Sequence, residues 1–380
     1  MQWRVPLFEP DLGQPEVDAL TRVIRSKWLT MGEVTAQFEQ RFAASVGCEH
    51  ALAVNSGTAA LHLALAAADI RPGDDVVCPA LTFVATANAI RYTGARPVFA
   101  DVASLDEWNV SRATLEAVTT PATKAVMVVH YGGYPCDMAS IRAWAQERRI
   151  LVIEDAAHAA GARASGRAMG NWGDFGCFSF FSNKNLTTGE GGMVTTQRGE
   201  VMGRLRRLRS HGMTTVTLDR HRGHAYSYDV SELGYNYRMS ELNAALGLVQ
   251  LEALGPRNVQ RRELVGQYRS NLENVPGLSV PFRRARGEAA HHLMPVLLPP
   301  GCDRRRIMER LKETGIQTSI HYRPVDTFTA YQDAALGPCA HLPLTHEIGA
   351  RQLTLPLYPS MPAKAVDYVC DHLAQALQDA

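Results

Sequence analysis

A single lysine, Lys184, stands between an aromatic run and a glycine-rich turn. The run is Phe-Ser-Phe-Phe over residues 178–181, which predicts the end of a buried strand. The turn is Gly-Glu-Gly-Gly over residues 189–192, because glycine adopts the backbone conformations of tight turns without steric cost. Burial beside aromatic rings disfavours a charged amine, so we expect the pKa of Lys184 to fall and its nitrogen to become nucleophilic. The other interpretation is a solvated lysine in a surface loop.

Carboxylates and a histidine follow a second apolar segment. Residues 150–153, Ile-Leu-Val-Ile, predict a strand, and Glu-Asp-Ala-Ala-His follows over residues 154–158. Parallel sheets bind ligands at the carboxyl ends of their strands. Asp155 is therefore a candidate to pair with a protonated aromatic nitrogen, in a charge-assisted bond worth roughly 1.5–3 kcal/mol. The alternative is a metal site on Asp155 and His158, which lacks further ligands nearby in the sequence.

The turn Asn-Ser-Gly-Thr over residues 55–58 joins an apolar segment to a predicted helix over residues 59–68. A helix that begins after such a turn presents free backbone N–H groups and the positive end of its dipole. The turn is thus a candidate anion site, although an ordinary helix cap has the same pattern.

Two other features have two interpretations each. Phe83 lies in a small-residue segment, where composition favours a core position. Four arginines at positions 204, 206, 207 and 209 predict a solvated helix face, or alternatively a phosphate clamp, because guanidinium forks suit phosphate oxygens.

Composition limits the classes of function. The 380 residues allow two domains, and 46% hydrophobic and 20% charged residues are typical of a globular protein. A formal charge of +1 argues against nucleic acid and acidic membranes as partners. Seven cysteines without a CxxC pair indicate reduced thiols in a cytoplasmic protein with no zinc site. We expect neither a signal peptide nor a membrane span, because no apolar run approaches eighteen residues.

Strand and helix segments alternate along the first two thirds of the chain. This order predicts a parallel, doubly wound sheet with crossover helices, preceded by a helical N-terminal arm. Gly255-Pro256 is predicted to break a long helix, with a second helix over residues 259–272. The segments beyond predict a small α/β domain, so the expected domains are residues 1–255 and 256–380.

Several spaced motifs together resemble the DegT/StrS family of sugar aminotransferases, which use pyridoxal 5'-phosphate (PLP). They span nearly the whole chain and include residues 82–90 (TFVATANAI), 178–192 (FSFFSNKNLTTGEGG), 234–242 (GYNYRMSEL) and 320–326 (IHYRPVD). The resemblance implies the aspartate aminotransferase-like architecture, PLP fold type I. This fold has a large, doubly wound, mostly parallel sheet domain and a smaller C-terminal α/β domain, and it works as a homodimer.

The resemblance also implies the roles of site residues. Lys184 would form the Schiff base with PLP, and Asp155 would pair with its pyridine nitrogen. The other implied contacts are Phe83 against the ring, His158 at the ring hydroxyl, Gly57, Thr58 and Ser179 at the phosphate, and Asn236 reaching the phosphate of the neighbouring subunit. Ser179 is preferred to Ser182 because the family's phosphate serine lies five residues before the lysine. Asp326 stands where the family has histidine, which predicts an unusual sugar specificity if this position faces the substrate.

The implied reaction moves an amino group from an amino acid, expected to be glutamate, to a keto-sugar, expected to be nucleotide-linked. An aminotransferase for keto-cyclitols of the aminoglycoside type shares all these motifs and stays an alternative. A PLP-dependent sugar dehydratase on the same fold has histidine in place of the lysine, so Lys184 argues against it. A non-catalytic PLP-binding regulator would be supported by a fused DNA-binding domain, for which the chain has no spare length.

Overall fold

The computed structural model describes residues 3–214, 227–284, 286–332 and 341–378, so Cys339 lies outside the described residues. The helices are α1 (Gln14–Ser26), α2 (Glu33–Val46), α3 (Gly57–Ala67), α4 (Ala85–Tyr92), α5 (Arg112–Glu116), α6 (Met138–Arg148), α7 (Gly199–Arg209), α8 (Glu241–Leu272), α9 (Arg304–Glu313), α10 (Pro343–Arg351) and α11 (Ala363–Gln378). The strands are β1 (His50–Val54), β2 (Asp75–Pro79), β3 (Arg96–Ala100), β4 (Thr123–Val129), β5 (Leu151–Asp155), β6 (Arg163–Ala164), β7 (Arg167–Ala168), β8 (Phe175–Ser179), β9 (Gly192–Thr196), β10 (Met294–Leu297) and β11 (Gln352–Leu355).

A seven-stranded sheet organises the larger part of the molecule, with strand order β1-β9-β8-β5-β4-β2-β3. The pairs from β8 through β5, β4 and β2 to β3 are parallel. Strand β9 is antiparallel to both of its neighbours. The prediction of a large, mostly parallel sheet is therefore confirmed.

Apolar side chains cover both faces of this sheet, as a parallel sheet requires. On one face, Phe38, Phe42 and Trp144 belong to a buried cluster with the inward residues of β4 and β5. On the other face, the apolar residues of α3 belong to a second cluster. Because β5 and β8 are parallel neighbours, their carboxyl ends lie at the same edge of the sheet.

Helix α8 runs without interruption through Pro256, so the predicted helix break at Gly255-Pro256 was wrong. Proline removes one backbone hydrogen bond and crowds the preceding turn. Here both halves of the helix bury side chains, for example Leu254 before the proline and Tyr268 after it. This packing favours one continuous helix over the local preference of proline. The domain boundary after residue 255 falls inside this helix, and the division into two domains stays a prediction.

The N-terminal arm is attached to α8 through a buried carboxylate. Glu241, the first residue of α8, accepts hydrogen bonds from the backbone N–H groups of Gly32, Val34 and Thr35 at 2.8–2.9 Å. These groups lie at the start of α2, where a helix lacks internal partners for its N–H groups. Glu241 thus caps α2 and fixes the start of α8 against the arm.

The C-terminal part contains its own apolar cluster. Strands β10 and β11 form an antiparallel pair, and Leu311, Leu353 and Leu373 are buried in the cluster beside them. None of the helices in the described segments has the length and apolar character needed to cross a membrane.

Candidate active site

A cavity of about 420 Å³ opens at the carboxyl edge of the sheet, where β5 and β8 end. Residues from distant parts of the chain line it, namely Ser56, Gly57, Thr58, Leu61, Thr82, Phe83, Ala85, Val129, Asp155, Ala157, His158, Ser179, Phe181, Asn183, Lys184, Glu190, His321 and Tyr322. All but one of the sequence-predicted site residues are in this set. The exception is Asn236.

The N-terminus of α3 forms one wall of the cavity. Ser56 caps the helix, since its hydroxyl oxygen accepts from the backbone N–H of Ala59 at 3.1 Å. A Cβ atom at Gly57 would lie 2.7 Å from Cβ of Ser179, too close for any side chain. Glycine therefore allows the helix N-terminus to approach the end of β8. The N-terminus of α3 and the hydroxyl of Ser179 make a narrow cradle that suits a phosphate, because the first N–H groups of a helix have no partner within the helix.

Asp155 lies in the cavity at the end of β5 with its carboxylate held from two sides. Thr86 Oγ1 donates to Oδ2 at 2.7 Å, and the backbone N–H of Ala157 donates to Oδ1 at 3.2 Å. Burial raises the pKa of Asp155, while the hydrogen bonds and the nearby Lys184 oppose that rise. The carboxylate is oriented and desolvated, so it would interact strongly with a cation placed in the cavity.

Lys184 occupies a tight loop between β8 and β9. Its backbone N–H donates to the carbonyl oxygen of Phe181 at 2.9 Å, and Phe180 and Gly191 pair across the base of the loop at 2.9 Å. The ring of Phe180 is buried, whereas Phe181 is 44% exposed beside the cavity. Burial lowers the pKa of Lys184 to about 8, and Asp155 partly opposes this shift. The lysine is thus a much better nucleophile near neutral pH than a solvated one.

His158 contacts a residue that the sequence analysis missed. Its Nε2 lies 3.0 Å from the hydroxyl of Tyr322, which is distant in sequence. Burial and the neighbouring Lys184 and His321 keep the pKa of His158 well below its ordinary value, so the ring is neutral at pH 7. Phe83, on the other side of Tyr322, is 55% exposed, with its ring centroid 5.6 Å from that of Tyr322. Phe83 is therefore a cavity residue and does not belong to the core.

Other missed residues support the predicted ones. Thr82 and Thr86 share a hydrogen bond of 2.8 Å near Asp155, with Thr82 in the loop before α4 and Thr86 within the helix. This contact joins a loop to a helix, so a helical spacing rule does not predict it. Tyr322 had only its place in the motif of residues 320–326 as a signal.

Three positions that the sequence analysis discussed lie outside the cavity of their own chain, and only Asn236 among them was a predicted site residue. Asn236 is exposed, and its carbonyl oxygen accepts from Asn55 Nδ2 at 3.1 Å. Ser182 bonds instead to the carbonyl of Gly189 at 3.2 Å, which leaves Ser179 as the cavity serine of the pair. Asp326 is buried, and its Oδ2 lies 2.6 Å from Nε2 of His346. An effect on sugar specificity was predicted only if this position faces the substrate, and Asp326 does not line the cavity of its own chain.

Three of the four arginines of α7 form ion pairs within the chain. Arg204 and Arg207 both contact Glu232, at 3.1 Å and 3.0 Å. Arg209 is buried and lies 2.6 Å from Glu39. These contacts favour a structural role for the run over a phosphate clamp.

The cavity residues fit PLP. The cradle of Gly57 and Ser179 suits its phosphate, Lys184 would bind its aldehyde carbon, and Asp155 its ring nitrogen. Within the described ranges, no group of three or more His, Cys, Asp or Glu side chains could hold a metal ion, so no rival metal site arises there.

Comparison with known proteins gives the same assignment. The model of the DegT/DnrJ/EryC1/StrS aminotransferase family matches residues 10–374. Spore coat polysaccharide biosynthesis protein SpsC of Bacillus subtilis is 42% identical, over 99% of this chain and 98% of that protein.

Two solved structures are similar throughout. The aminotransferase TlmJ from Streptoalloteichus hindustanus is 33% identical with a TM-score of 0.91, over 99% of both chains. DesI, solved in the presence of its TDP-sugar product, is 31% identical with a TM-score of 0.88, over 100% of this chain and 94% of that chain. The aminotransferases of this family depend on PLP, and the fold is PLP fold type I. The chain belongs to the DegT/DnrJ/EryC1/StrS aminotransferase family and is a PLP-dependent sugar aminotransferase.

Proposed function

We propose that the protein transfers the amino group of glutamate to a keto-sugar that is attached to a nucleotide diphosphate. The observation that supports this most is the convergence of Lys184, Asp155 and the N-terminus of α3 on one cavity. The nucleotide linkage is inferred from the similarity to DesI, whose product carries TDP. SpsC, which is named for polysaccharide biosynthesis, supports a carbohydrate acceptor.

The roles of the residues follow from their chemistry. Bound PLP supplies an electron sink for the carbon that gains or loses a proton. Lys184 would move that proton as a base and then as an acid, and its lowered pKa of about 8 suits both steps. Asp155 would keep the ring nitrogen protonated, and Gly57, Thr58 and Ser179 would bind the phosphate. Phe83 would pack against the ring, and His158 would lie beside its hydroxyl.

A spectroscopic assay of the two half-reactions tests the proposal. The yellow protein should lose its visible band with L-glutamate and recover it with a suitable acceptor. The acceptor panel contains a TDP-linked 4-keto-6-deoxyhexose, the UDP- and GDP-linked equivalents, and a keto-cyclitol. The Lys184→Ala variant, as control, should still bind PLP without either conversion. Recovery with the keto-cyclitol alone would refute the nucleotide-linked acceptor.

Borohydride reduction tests the lysine assignment independently of any acceptor. The reduced protein should carry PLP fixed to Lys184, as peptide mass analysis would show. Labelling of a different lysine would disprove the central assignment.

We further propose that the enzyme is a cytoplasmic homodimer in which Asn236 contacts the cofactor phosphate of the other subunit. A two-fold dimer of this kind has two equivalent sites, each built from both chains. Mixing Lys184→Ala with Asn236→Ala chains would place both defects in one site of the hybrid and none in the other. Activity should then recover, because an intact site forms. Hybrid dimers that form without recovered activity would contradict a contact across the interface.

A further inference from the structure

We propose that Tyr322 donates a hydrogen bond to an oxygen atom of the keto acceptor, and that His158 acts as a positioning residue that holds its hydroxyl. This inference rests on the proposed function and adds a residue that discriminates between the two substrates. It starts from two contacts that fix the direction of the hydrogen bonds from Gly132 through His158 to Tyr322.

The tautomer of His158 is set by the backbone behind it. The N–H of Gly132 points at His158 Nδ1 at 3.2 Å, and a backbone N–H can only donate, so Nδ1 is the acceptor. A neutral imidazole then carries its proton on Nε2. That proton is donated to the Tyr322 hydroxyl oxygen, which lies 3.0 Å away. The phenolic proton of Tyr322 is consequently left to point elsewhere.

The backbone at Tyr322 is held as firmly as its hydroxyl. Gln352, fully buried in β11, donates from Nε2 to the carbonyl oxygen of Tyr322 at 2.6 Å. Its Oε1 accepts from the backbone N–H of His321 at 3.1 Å. One amide therefore binds both sides of the segment, and the tyrosine ring has little freedom to leave the cavity.

The phenolic proton of Tyr322 is available to an oxygen atom of a substrate in the cavity. Tyr322 lines the cavity beside the exposed ring of Phe83, and Asp155 and Ser179 line it at the ends of β5 and β8. Two of the other hydroxyls in the lining have partners within the chain, since Thr82 bonds to Thr86 and Ser56 caps α3. A keto-sugar carries many oxygen atoms that accept hydrogen bonds, so a directed, neutral donor in the cavity lining suits it.

Comparing the two half-reactions distinguishes a hydrogen bond to the keto acceptor from a role of Tyr322 in both halves of the reaction. Tyr322→Phe removes the hydroxyl and keeps the ring. Its rate of recovery with the acceptor that wild-type protein converts fastest should fall about tenfold, the effect of one neutral hydrogen bond. The conversion with L-glutamate should fall far less. Tyr268→Phe is the matched control, because its hydroxyl bonds to the carbonyl of Pro356 in the C-terminal cluster, away from the cavity.

A double-mutant cycle tests the role of His158. The His158→Gln side chain can accept from Gly132 and donate to Tyr322, so it should retain more acceptor activity than His158→Leu. In the Tyr322→Phe background, His158→Leu should add little further change to the ratio of the acceptor rate to the glutamate rate, because a contact of His158 with the cofactor would affect both half-reactions. Equal losses in the two half-reactions of Tyr322→Phe, or full additivity in the cycle, would overturn the inference. Wild-type protein that converts glutamate but no acceptor would instead refute the proposed function.

Discussion

Glu154 and Asp155 are neighbours on β5, yet their carboxylates have very different surroundings. Glu154 is fully buried and accepts from the backbone N–H groups of Gly170, Trp172 and Gly173 at 2.6–2.8 Å. His130 Nε2 lies 3.0 Å away as a fourth donor. Asp155 has one hydroxyl and one backbone N–H as donors and otherwise lines the cavity.

The difference shows how one strand serves both the fold and the site. Successive side chains of a strand point to opposite faces of the sheet. Glu154 points into a loop whose glycines let the backbone close around it, since a Cβ at Gly170 would lie 2.2 Å from the Phe178 ring. Its capacity to accept hydrogen bonds is used within the chain. Asp155 keeps part of its capacity for a ligand.

The largest effect is expected for Glu154→Gln, on stability. The amide NH2 would face two buried N–H donors and leave them without an acceptor, which costs about 4 kcal/mol in total. Urea denaturation of the cofactor-free protein measures this loss. Glu190→Gln, at an exposed carboxylate, should change stability by less than about 0.5 kcal/mol. Equal stabilities of the two variants would show that the loop does not depend on Glu154.

Asp155→Asn should leave stability nearly unchanged and lower turnover on the order of 100-fold, because a charge-assisted bond contributes up to about 3 kcal/mol. The substitution removes the charge that, in the proposed role of Asp155, would keep the ring nitrogen protonated. Retention of PLP after gel filtration, and its fixation by borohydride, would show that the site still forms. Near-normal turnover would show that the charge of Asp155 is not needed for the reaction, so that Asp155 would not differ from Glu154 by serving the site.

Lys184→Met should stabilise the cofactor-free protein by about 2 kcal/mol at pH 7, after allowance for partial solvent contact. The pKa of Lys184 is about 8 in the folded protein against 10.5 for a free lysine. Between these values the unfolded chain binds more protons, so wild-type stability rises with pH. The advantage of the variant should therefore be constant below pH 8 and shrink toward pH 10.5. Lys124→Met, at an exposed position of β4, should show no such gain.

Thr86→Val is expected to have the smallest effect. It removes the hydroxyl that donates to Asp155 Oδ2 and keeps the shape of the side chain, so turnover should fall a few-fold, equivalent to about 1 kcal/mol. The acid limb of the pH–rate profile should move to higher pH, because the carboxylate loses a donor that lowers its pKa. An unchanged profile would mean that Thr86 does not orient Asp155.

The sequence by itself determined the chemistry of the site and the kind of sheet that carries it. Lys184, Asp155 and the turn at Gly57 each lie directly beside a strand end or helix start, and such positions follow from local periodicity and short motifs. The spacing of strands and helices predicted the parallel sheet for the same reason. Choosing Ser179 over Ser182 needed the family resemblance, which implies a phosphate serine five residues before the lysine.

Only the tertiary structure decided contacts between distant segments. Helix α8 continues through Pro256 because packing on both sides outweighs a local preference. The contact of His158 with Tyr322 joins residues far apart in the chain, and no spacing rule relates two such positions. The same holds for Glu241 at the start of α2. Packing brings these groups together, and the hydrogen bonds that form then fix tautomers and donor directions that a sequence does not contain.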